Sequence, residues 1–215
     1  MIEIQKSAVR NIIFDLGGVL LNINPLLSLA ELGKMSGIGK EELISRFVKE
    51  RIFEKFDTGS LNPAQFRSEL CRIINKNVND AEIDRAWNML LLDFPLPRVE
   101  LLQQLRKNYR VFLLSNTNSI HFDYYTNDFY KKYGFRMITL FDRLFLSYEI
   151  GIHKPDAGIY TYVLENANID AKETVFIDDS LANIKAAEEL GIAGIHIHDG
   201  HDVVDFFENG ILRIS

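Results

Sequence analysis

Short apolar segments recur along the chain, and the first lies at 12–14, where two isoleucines and a phenylalanine precede Asp15 and the pair Gly17-Gly18. Apolar runs of this length are typical of strands buried on both faces of a parallel sheet, although a buried turn of helix has the same pattern. The two glycines favour the strand, because they let the backbone leave a sheet sharply and let a ligand approach it closely. The segment therefore predicts a buried strand that presents one carboxylate at its end.

Four later segments have the same strand-like character, and helical patterns lie between them. An alternation of strands and helices predicts a parallel α/β sheet with right-handed crossovers. We therefore expect an α/β fold whose core is a Rossmann-like parallel sheet. The later predicted strands are 110–114, 143–146, 174–177 and 193–197, and the helices between them are 99–107, 159–166 and 183–190.

The first crossover, from Leu20 to Arg110, is far longer than a parallel connection needs. It contains four stretches with apolar residues three and four positions apart, which predicts amphipathic helices. We therefore expect an inserted all-helical cap domain at 22–93, placed over the carboxyl end of the first strand, and a core formed by 1–21 and 94–215. The four predicted cap helices are 26–35, 41–56, 62–74 and 80–91.

Composition narrows the class of protein. The 215 residues are 47% hydrophobic, enough for a full core, and the formal net charge of −6 disfavours nucleic acid as a partner. No apolar run reaches the roughly 18 to 20 residues of a membrane span, and the first residues do not resemble a signal peptide. Cys71 is the single cysteine, so an intrachain disulfide is excluded. We expect a cytoplasmic monomer or homodimer with no nucleic-acid or membrane partner.

Polar groups follow several predicted strands at the edge of the sheet where ligands bind in open α/β folds. Each alone has an ordinary alternative, such as a helix cap for Asp15, Ser115 or Asp178 and a solvated surface charge for Lys154. Their recurrence at several strand ends favours a functional site instead. The residues are Asp15, Ser115, Asn116, Lys154, Asp178 and Asp179.

Three of these residues are aspartates, and their mutual repulsion calls for a cation. Two like charges about 4 Å apart repel by roughly 4 kcal/mol at an effective dielectric constant of 20. Carboxylates, a backbone carbonyl and waters are the ligands that Mg²⁺ prefers, whereas Ca²⁺ takes more protein oxygens. We therefore predict a Mg²⁺ site formed by Asp15, Asp178 and Asp179, with the carbonyl of Gly17 as a further ligand.

A magnesium site of this kind leaves room for a phosphate oxygen. Lys154 as a point charge and Ser115 as a hydroxyl donor suit a phosphate group, and phosphoryl transfer depends mainly on positioning and charge neutralisation. Asp15 is then the predicted nucleophile, forming an aspartyl-phosphate that water hydrolyses. The predicted partner is a small phosphorylated metabolite.

Four motifs, in this order along nearly the whole chain, resemble the phosphatase branch of the haloacid dehalogenase superfamily. They are FDLGGVLL from Phe14, LLSNTN from Leu113, GIHKPDAGIYTYVL from Gly151 and VFIDDSLANIKAA from Val175. The resemblance implies a Rossmann-like core with a type 1 helical cap. The first two motifs are similar to those of phosphatases acting on alpha-D-glucose 1-phosphate, which implies a sugar phosphate as substrate.

The resemblance also carries the family's roles onto this chain. It implies that the nucleophile is also a metal ligand, and it adds two asparagines near the substrate. The implied catalytic residues are Asp15, Ser115 and Lys154, the substrate-binding residues are Ser115, Asn116, Lys154 and Asn183, and the metal ligands are Asp15, Gly17, Asp178 and Asp179.

One position departs from the family pattern. Most phosphatases of this family have a second aspartate two residues after the nucleophile, as general acid and base, but here the residue is Gly17. General acid catalysis contributes roughly 10² to 10⁴-fold, so its loss harms good leaving groups least. We therefore hypothesise a preference for sugar 1-phosphates over 6-phosphates, with His153 or a cap residue as substitute acid. The cap turn at 57–60 resembles the family's specificity loop, and a plain helix end at Gly59 is the alternative.

Two other functions stay open. A 2-haloacid dehalogenase shares the fold and the nucleophile, but it needs no metal and gains nothing from the pair Asp178-Asp179. A catalytically weak phosphosugar-binding or regulatory protein is the third interpretation. His196, His198 and His201 suggest a second metal site, because residues two apart on a strand share a face, but polar residues leaving the last strand are the simpler explanation.

Overall fold

The computed structural model describes residues 9–198 and 200–213. The core strands are β1 (Asn11–Phe14), β2 (Arg110–Ser115), β3 (Arg143–Leu146), β4 (Thr174–Asp178) and β5 (Ala193–His196). They form one parallel sheet in the order β3-β2-β1-β4-β5, so the strand before Asp15 lies at its centre. The five predicted strands and the α/β fold are confirmed.

The register of the central strands brings their carboxyl ends to one edge. Phe14 pairs with Leu113 of β2 on one side and with Ile177 of β4 on the other. The ladder continues one residue past β1, because the Asp15 amide donates to the Ile177 carbonyl over 2.9 Å. All four residues of β1 are buried, so Asp15 extends from a rigid support.

Between β1 and β2 the chain forms a helical insertion. Its helices enclose a hydrophobic cluster of their own, which includes Leu32, Phe56, Phe66 and Trp87. The stacked rings of Phe56 and Phe66 lie 4.0 Å apart at its centre. The helices are α1 (Pro25–Ser36), α2 (Lys40–Glu50), α3 (Ile52–Asp57), α4 (Pro63–Ile74) and α5 (Asp80–Asn88).

The segments that enter and leave the insertion run side by side. The Asn22 amide donates to the Asp93 carbonyl over 2.9 Å, and the Leu92 amide donates to the Asn22 carbonyl over 3.0 Å. Ile23 and Leu91 form an antiparallel bridge beside them. The expected boundaries of the cap, 22 and 93, fall at this paired connection, and the division into two domains stays a prediction.

The single helix predicted at 41–56 is wrong, because the structure divides it at Arg51. This residue has a left-handed φ of 50°, and its amide closes the end of α2 by donating to the Val48 carbonyl over 3.1 Å. Its side chain pairs with Glu54 in the next helix. The change of direction lets Ile52 and Phe56 enter the cap's hydrophobic cluster. Burial of these two side chains offsets a conformation that non-glycine residues rarely adopt.

Alternate residues of the strands face the two layers of helices that cover the sheet. Ile12 and Phe14 join a cluster with α6 (Leu96–Leu105) and α7 (Ser119–Tyr133), whereas Ile13 joins a cluster with α9 (Ala157–Ala167) and α10 (Leu181–Glu188). A two-stranded hairpin near the end of the chain, β6 (Phe207–Glu208) with β7 (Ile211–Leu212), was not predicted. The helices of the core are α6 (Leu96–Leu105), α7 (Ser119–Tyr133), α8 (Ser147–Ile150), α9 (Ala157–Ala167) and α10 (Leu181–Glu188).

Among the described residues, no helix combines the length and the apolar character that crossing a membrane requires.

Candidate active site

Three carboxylates converge at the carboxyl edge of the sheet. Asp15 follows β1, Asp178 ends β4 and Asp179 comes directly after it. One oxygen from each of the three side chains lies within 4.8 Å of the others. Asp15 and Asp178 are buried, and Asp179 is exposed. The structure thus brings together the three carboxylates that were expected to share a cation.

Lys154 lies between two of these carboxylates. Its Nζ donates to Asp15 Oδ1 over 2.6 Å and to Asp178 Oδ2 over 2.7 Å. A third hydrogen bond reaches the Leu114 carbonyl over 3.0 Å, and the side chain is 1% exposed. The lysine expected to bind phosphate therefore also offsets one of the two negative charges of the buried carboxylates.

Asp178 is held in place from its own side of the site. The Ser180 amide donates to its Oδ1 over 2.7 Å. Asn183 Nδ2 lies 2.9 and 3.1 Å from the two carboxylate oxygens and donates to them. Asn183, expected near the substrate, thus orients Asp178, and a contact of this residue with substrate stays a prediction.

Asn116 has a similar supporting position beside Lys154. Its Nδ2 donates to the Lys154 carbonyl and its Oδ1 accepts from the Lys154 amide, each over 2.9 Å. Ser115, one residue earlier, is the buried last residue of β2, on the strand next to that of Asp15. The end of β2 thus places Ser115, and the first residue after β2, Asn116, fixes the backbone of Lys154.

Burial shifts the pKa values of the charged groups in this site. Burial raises the pKa of Asp15 to about 7, with Lys154 opposing the shift and Asp178 adding to it. The pKa of Asp179 is also raised, first by burial and then by Asp178. Burial alone would lower the pKa of Lys154, but the charges of Asp15 and Asp178 outweigh it and raise that pKa. Negative charge is therefore costly at this edge of the sheet.

The donor set fits a divalent cation. Three carboxylates and one ammonium leave a formal charge of two negative units, which a divalent ion neutralises. The donors are carboxylate oxygens, with no sulfur or imidazole among the three residues, and this is the chemistry of a Mg²⁺ site. The Gly17 carbonyl as a further ligand stays a prediction.

The glycine turn after Asp15 is shaped by its neighbours. Gly18 has a φ of 77°, and a Cβ at this position would lie 2.2 Å from Asp179 Oδ2, so the position requires glycine. At Gly17 a Cβ would lie 3.1 Å from the Cδ1 of Ile23. The chain thus has an apolar side chain against the position where the family pattern has its second aspartate.

The cap turn at 57–60 lies against the core. Gly59 has the left-handed φ of 68° expected after a helix end, and a Cβ there would lie 2.3 Å from the Tyr148 carbonyl of α8. Asp57 accepts a hydrogen bond from Asn118 Nδ2 over 2.9 Å. Burial raises the pKa of Asp57 to about 6, although the hydrogen bond from Asn118 opposes the shift. The turn therefore brings a carboxyl group of raised pKa to the interface between cap and core.

Two residues support this arrangement through contacts that were not predicted. Asn118 is fully buried and caps α7, because its Oδ1 accepts from the His121 amide over 3.0 Å. The preference of asparagine for the start of a helix was the available signal. His196 Nε2 lies 2.9 Å from the Asp179 carbonyl, a contact with no signal in the sequence, since it joins β5 to the end of β4.

The sequence model of one protein family, the haloacid dehalogenase-like (HAD) hydrolases, matches residues 9–191 of this chain. These residues contain all the motifs of the site. The chain belongs to the haloacid dehalogenase-like hydrolase family. The resemblance of the four sequence motifs to this family is thereby confirmed. In this HAD hydrolase, the parallel sheet positions the three carboxylates, and the helical insertion follows its central strand.

Similar proteins of this family include two relatives and one solved structure. The chain is 27% identical over 194 residues to D-ribitol-5-phosphate phosphatase of Bacteroides thetaiotaomicron, covering 90% of this chain and 94% of the relative. It is 28% identical over 192 residues to a sesquiterpene phosphatase of Aspergillus oryzae, covering 87% and 89%. A crystal structure of a HAD family enzyme from Bacteroides thetaiotaomicron, in complex with magnesium and inorganic phosphate, has a TM-score of 0.86 at 38% identity over 93% of this chain and 100% of that chain.

Proposed function

We propose that this HAD hydrolase is a Mg²⁺-dependent phosphatase that cleaves a small phosphomonoester through an aspartyl-phosphate on Asp15. The observation that carries the proposal is the cluster of three carboxylates around Lys154 at the carboxyl edge of the sheet. A metal-independent 2-haloacid dehalogenase would gain nothing from Asp178 and Asp179. The related HAD structure with magnesium and inorganic phosphate supports the same assignment.

In this proposal the metal ligands are Asp15, Asp178 and Asp179, together with the Gly17 carbonyl. A bound Mg²⁺ supplies positive charge to the phosphate oxygens. Because Lys154 alone leaves two negative charges at the site, a phosphate dianion would otherwise meet strong repulsion.

The chain's own residues then have distinct tasks. One carboxylate oxygen of Asp15 attacks phosphorus, while Lys154 and the Ser115 hydroxyl stabilise the charge on the phosphoryl oxygens. Asn116 and Asn183 act through Lys154 and Asp178, whose backbone and carboxylate they hold. Water later attacks the phosphorus of the aspartyl-phosphate and releases inorganic phosphate.

The proton for the leaving oxygen needs a source other than residue 17, which is glycine. His153 is directed elsewhere, because its Nδ1 lies 2.7 Å from the Lys154 carbonyl and its Nε2 lies 3.6 Å from the Glu54 carboxylate. Asp57 of the cap is half-buried, and its pKa of about 6 leaves part of the population protonated near neutral pH. We assign the role of general acid to Asp57, with 22–93 as the cap that brings it to the site.

The alcohol part of the substrate is not fixed by the relatives, since one is named for ribitol 5-phosphate and the other for a sesquiterpene. A sugar or polyol phosphate is supported by the sequence motifs and by the first relative. Within that class we propose a preference for 1-phosphates over 6-phosphates, because an anomeric hydroxyl is the better leaving group and gains least from an acid that lies on the cap. Glucose 6-phosphate turned over as well as glucose 1-phosphate would reject the preference.

A substrate panel tests the function. The wild type is assayed with Mg²⁺ and with EDTA, and the variant Asp15→Asn is assayed with Mg²⁺. The substrates are sugar 1-phosphates, sugar 6-phosphates, ribitol 5-phosphate, p-nitrophenyl phosphate and 2-chloropropionate. We expect phosphate release that requires both Mg²⁺ and Asp15. Metal-independent halide release would identify a dehalogenase, and binding of phosphosugars without turnover would identify a regulatory protein.

A further inference from the structure

A deep cavity lies between the helical insertion and the core. It encloses about 370 Å³. Helices α1, α2, α3 and α5 form most of its wall, and the loop after β2 closes its inner end. The lining residues include Ile23, Ser28, Ile44, Asp57, Trp87 and Asn116.

The polar side chains of this wall are largely occupied by the protein itself. The Ser28 hydroxyl donates to the Trp87 carbonyl over 2.7 Å and accepts from the Leu90 amide over 2.9 Å. The amide of Asn116 is bonded to the backbone of Lys154. A ligand rich in hydroxyl groups would therefore lose hydrogen bonds to water on entering and find few replacements, which costs binding free energy.

His121 adds no charge to the cavity. Burial lowers the pKa of its imidazole to about 4, so the ring is neutral at physiological pH. The ring stacks on Trp87 with centroids 4.6 Å apart, and its Nε2 lies 3.3 Å from the Trp87 carbonyl. The wall around Trp87 is thus aromatic and aliphatic.

The cavity adjoins the phosphate end of the site and opens toward solvent at the other end. Asn116 directly follows Ser115 in the chain and holds Lys154, and Ile23 lies against the glycine turn after Asp15. At the outer end, Ile44 and Val48 of α2 are exposed apolar side chains. An alcohol attached to a phosphate at Asp15 can therefore extend along the wall from Asn116 toward Ile44.

From this geometry we infer a second substrate class, phosphomonoesters of apolar alcohols, whose hydrocarbon part occupies the cavity. The inference rests on the proposed phosphatase chemistry at Asp15. Since one water-sized group takes up about 30 Å³, the cavity holds roughly a dozen non-hydrogen atoms, which corresponds to an alcohol of about ten carbons.

The reaction balances without a further reactant. A carboxylate oxygen of Asp15 forms a bond to phosphorus while the bond from phosphorus to the alkoxy oxygen breaks, and that oxygen takes the proton of the Asp57 carboxyl. The alcohol leaves through the open end of the cavity. Water then bonds to phosphorus, the bond from phosphorus to Asp15 breaks, and a proton of the water returns to Asp57.

A series of straight-chain alkyl phosphates from methyl to dodecyl tests the inference. Each methylene that enters an apolar cavity should raise kcat/KM about fourfold, until the cavity is filled near ten carbons. The decyl ester, nine carbons longer than the methyl ester, should therefore exceed it by on the order of 10⁵-fold if every methylene is buried, and by at least about a hundredfold if only four are. A kcat/KM that does not change with chain length would overturn the inference.

A matched pair of variants shows where the chain binds. Ile44→Glu places a charge at the mouth of the cavity, and Ile211→Glu makes the same change in β7, which is absent from the cavity wall. The two isoleucines are 39% and 46% exposed, so both variants should fold. Ile44→Glu should lower the ratio of kcat/KM for decyl over methyl phosphate at least tenfold, and Ile211→Glu should leave that ratio unchanged. Equal ratios in the two variants would contradict binding in this cavity.

Trp87 gives a readout that does not depend on turnover. It is the single tryptophan of the chain, and it lines the cavity. In the variant Asp15→Asn, added decyl phosphate should change the fluorescence of Trp87 and reach saturation with ligand concentration, whereas methyl phosphate should leave that fluorescence unchanged. Constant emission with decyl phosphate would reject the inference even if sugar phosphates are hydrolysed. Failure to release phosphate from any ester, p-nitrophenyl phosphate included, would reject the proposed function instead, while a saturable change in Trp87 would still support an apolar ligand.

Discussion

The carboxyl edge of the sheet and the cavity beneath the cap lie side by side and have opposite characters. At the edge, Asp15, Lys154 and Asp178 are buried charges that compensate one another within 2.7 Å. In the cavity, the wall is mostly hydrocarbon, and polar groups such as Ser28 are bonded to the protein. One region holds several charged groups, whereas Asp57 is the single carboxyl group among the residues that line the other.

This difference between the two regions suggests different roles: the carboxyl edge carries out the reaction, and the cavity selects the alcohol. Groups at the edge can act only on the phosphoryl group, because each alcohol presents the same phosphate to them. Apart from Asp57, the proposed general acid, groups in the cavity contact only the alcohol and can change the choice of substrate without changing the reaction. Variants at the edge should therefore affect all substrates alike, and variants of the cavity should affect long apolar esters most.

The largest expected effect is that of Asp15→Asn. Removal of the nucleophile should lower kcat for every phosphomonoester by on the order of 10⁴-fold or more, because no other carboxylate at the edge is placed to replace it. Phosphate release measured for methyl, decyl and p-nitrophenyl phosphate checks the uniformity of the loss. Asp128→Asn on the exposed surface of α7 is the control and should keep wild-type rates. A loss confined to one ester would contradict the separation of roles.

Lys154→Met should lower both activity and stability. It leaves Asp15 and Asp178 buried without their shared cation, and loss of one partner from a buried ion pair costs about 3 to 5 kcal/mol. Urea unfolding of the metal-free protein at pH 7 measures the change in free energy of unfolding. Added Mg²⁺ should restore part of it, because the ion binds the folded chain. Equal stability of variant and wild type would show that the carboxylates do not depend on the lysine.

Asp57→Asn should discriminate between leaving groups. A general acid contributes roughly 10² to 10⁴-fold with a poor leaving group, so the ratio of kcat for decyl over p-nitrophenyl phosphate should fall about 10²-fold. The acid works in its protonated form, and its pKa is about 6, so kcat for decyl phosphate should decrease as pH rises above 6. The variant should lose this decrease. A pH profile identical to the wild type would exclude Asp57 as the acid.

The smallest effect is expected at an ion pair outside both regions. Arg98 donates to the Asp202 carboxylate over 2.9 and 3.1 Å, next to the connection between cap and core. Burial would raise the pKa of Asp202, but the Arg98 guanidinium outweighs it and holds that pKa below its usual range. The stabilisation is therefore present above pH 4 and lost as pH falls through the lowered pKa.

Asp202→Asn should lower the free energy of unfolding by about 1 kcal/mol at pH 7, since the carboxylate is partly exposed and solvent screens the pair. Urea unfolding at several pH values measures the difference between variant and wild type. The difference should shrink at acidic pH. Its growth at acidic pH would show that the sign of the pKa shift is wrong.

The carboxyl edge was predictable because its information is local in the sequence. Asp15, Ser115 and Asp178 each stand at the end of an apolar run, and parallel strands bring their carboxyl ends to one edge. The contact of Lys154 with two carboxylates was not predicted, because it joins residues 139 and 24 positions apart. Sequence spacing carries no information on such a distance in space.

The cavity was not predictable from the sequence. Its walls come from four separate cap helices and a core loop, and each helix alone has only an ordinary apolar face. The break at Arg51 directs α3 toward the core, yet no glycine or proline stands there. The role of Asp57 depends on Asn118, 61 positions further along the chain. The proposed determinants of selectivity thus follow from tertiary packing, which periodicity does not describe.

The most direct test of the central claim is a single-turnover reaction quenched in acid and analysed by mass spectrometry of the peptide that contains Asp15. We expect one phosphoryl group on Asp15 during turnover of both decyl phosphate and p-nitrophenyl phosphate, formed only with Mg²⁺ present. Release of inorganic phosphate from both esters at wild-type rates with no phosphorylated Asp15 at any quench time would contradict it.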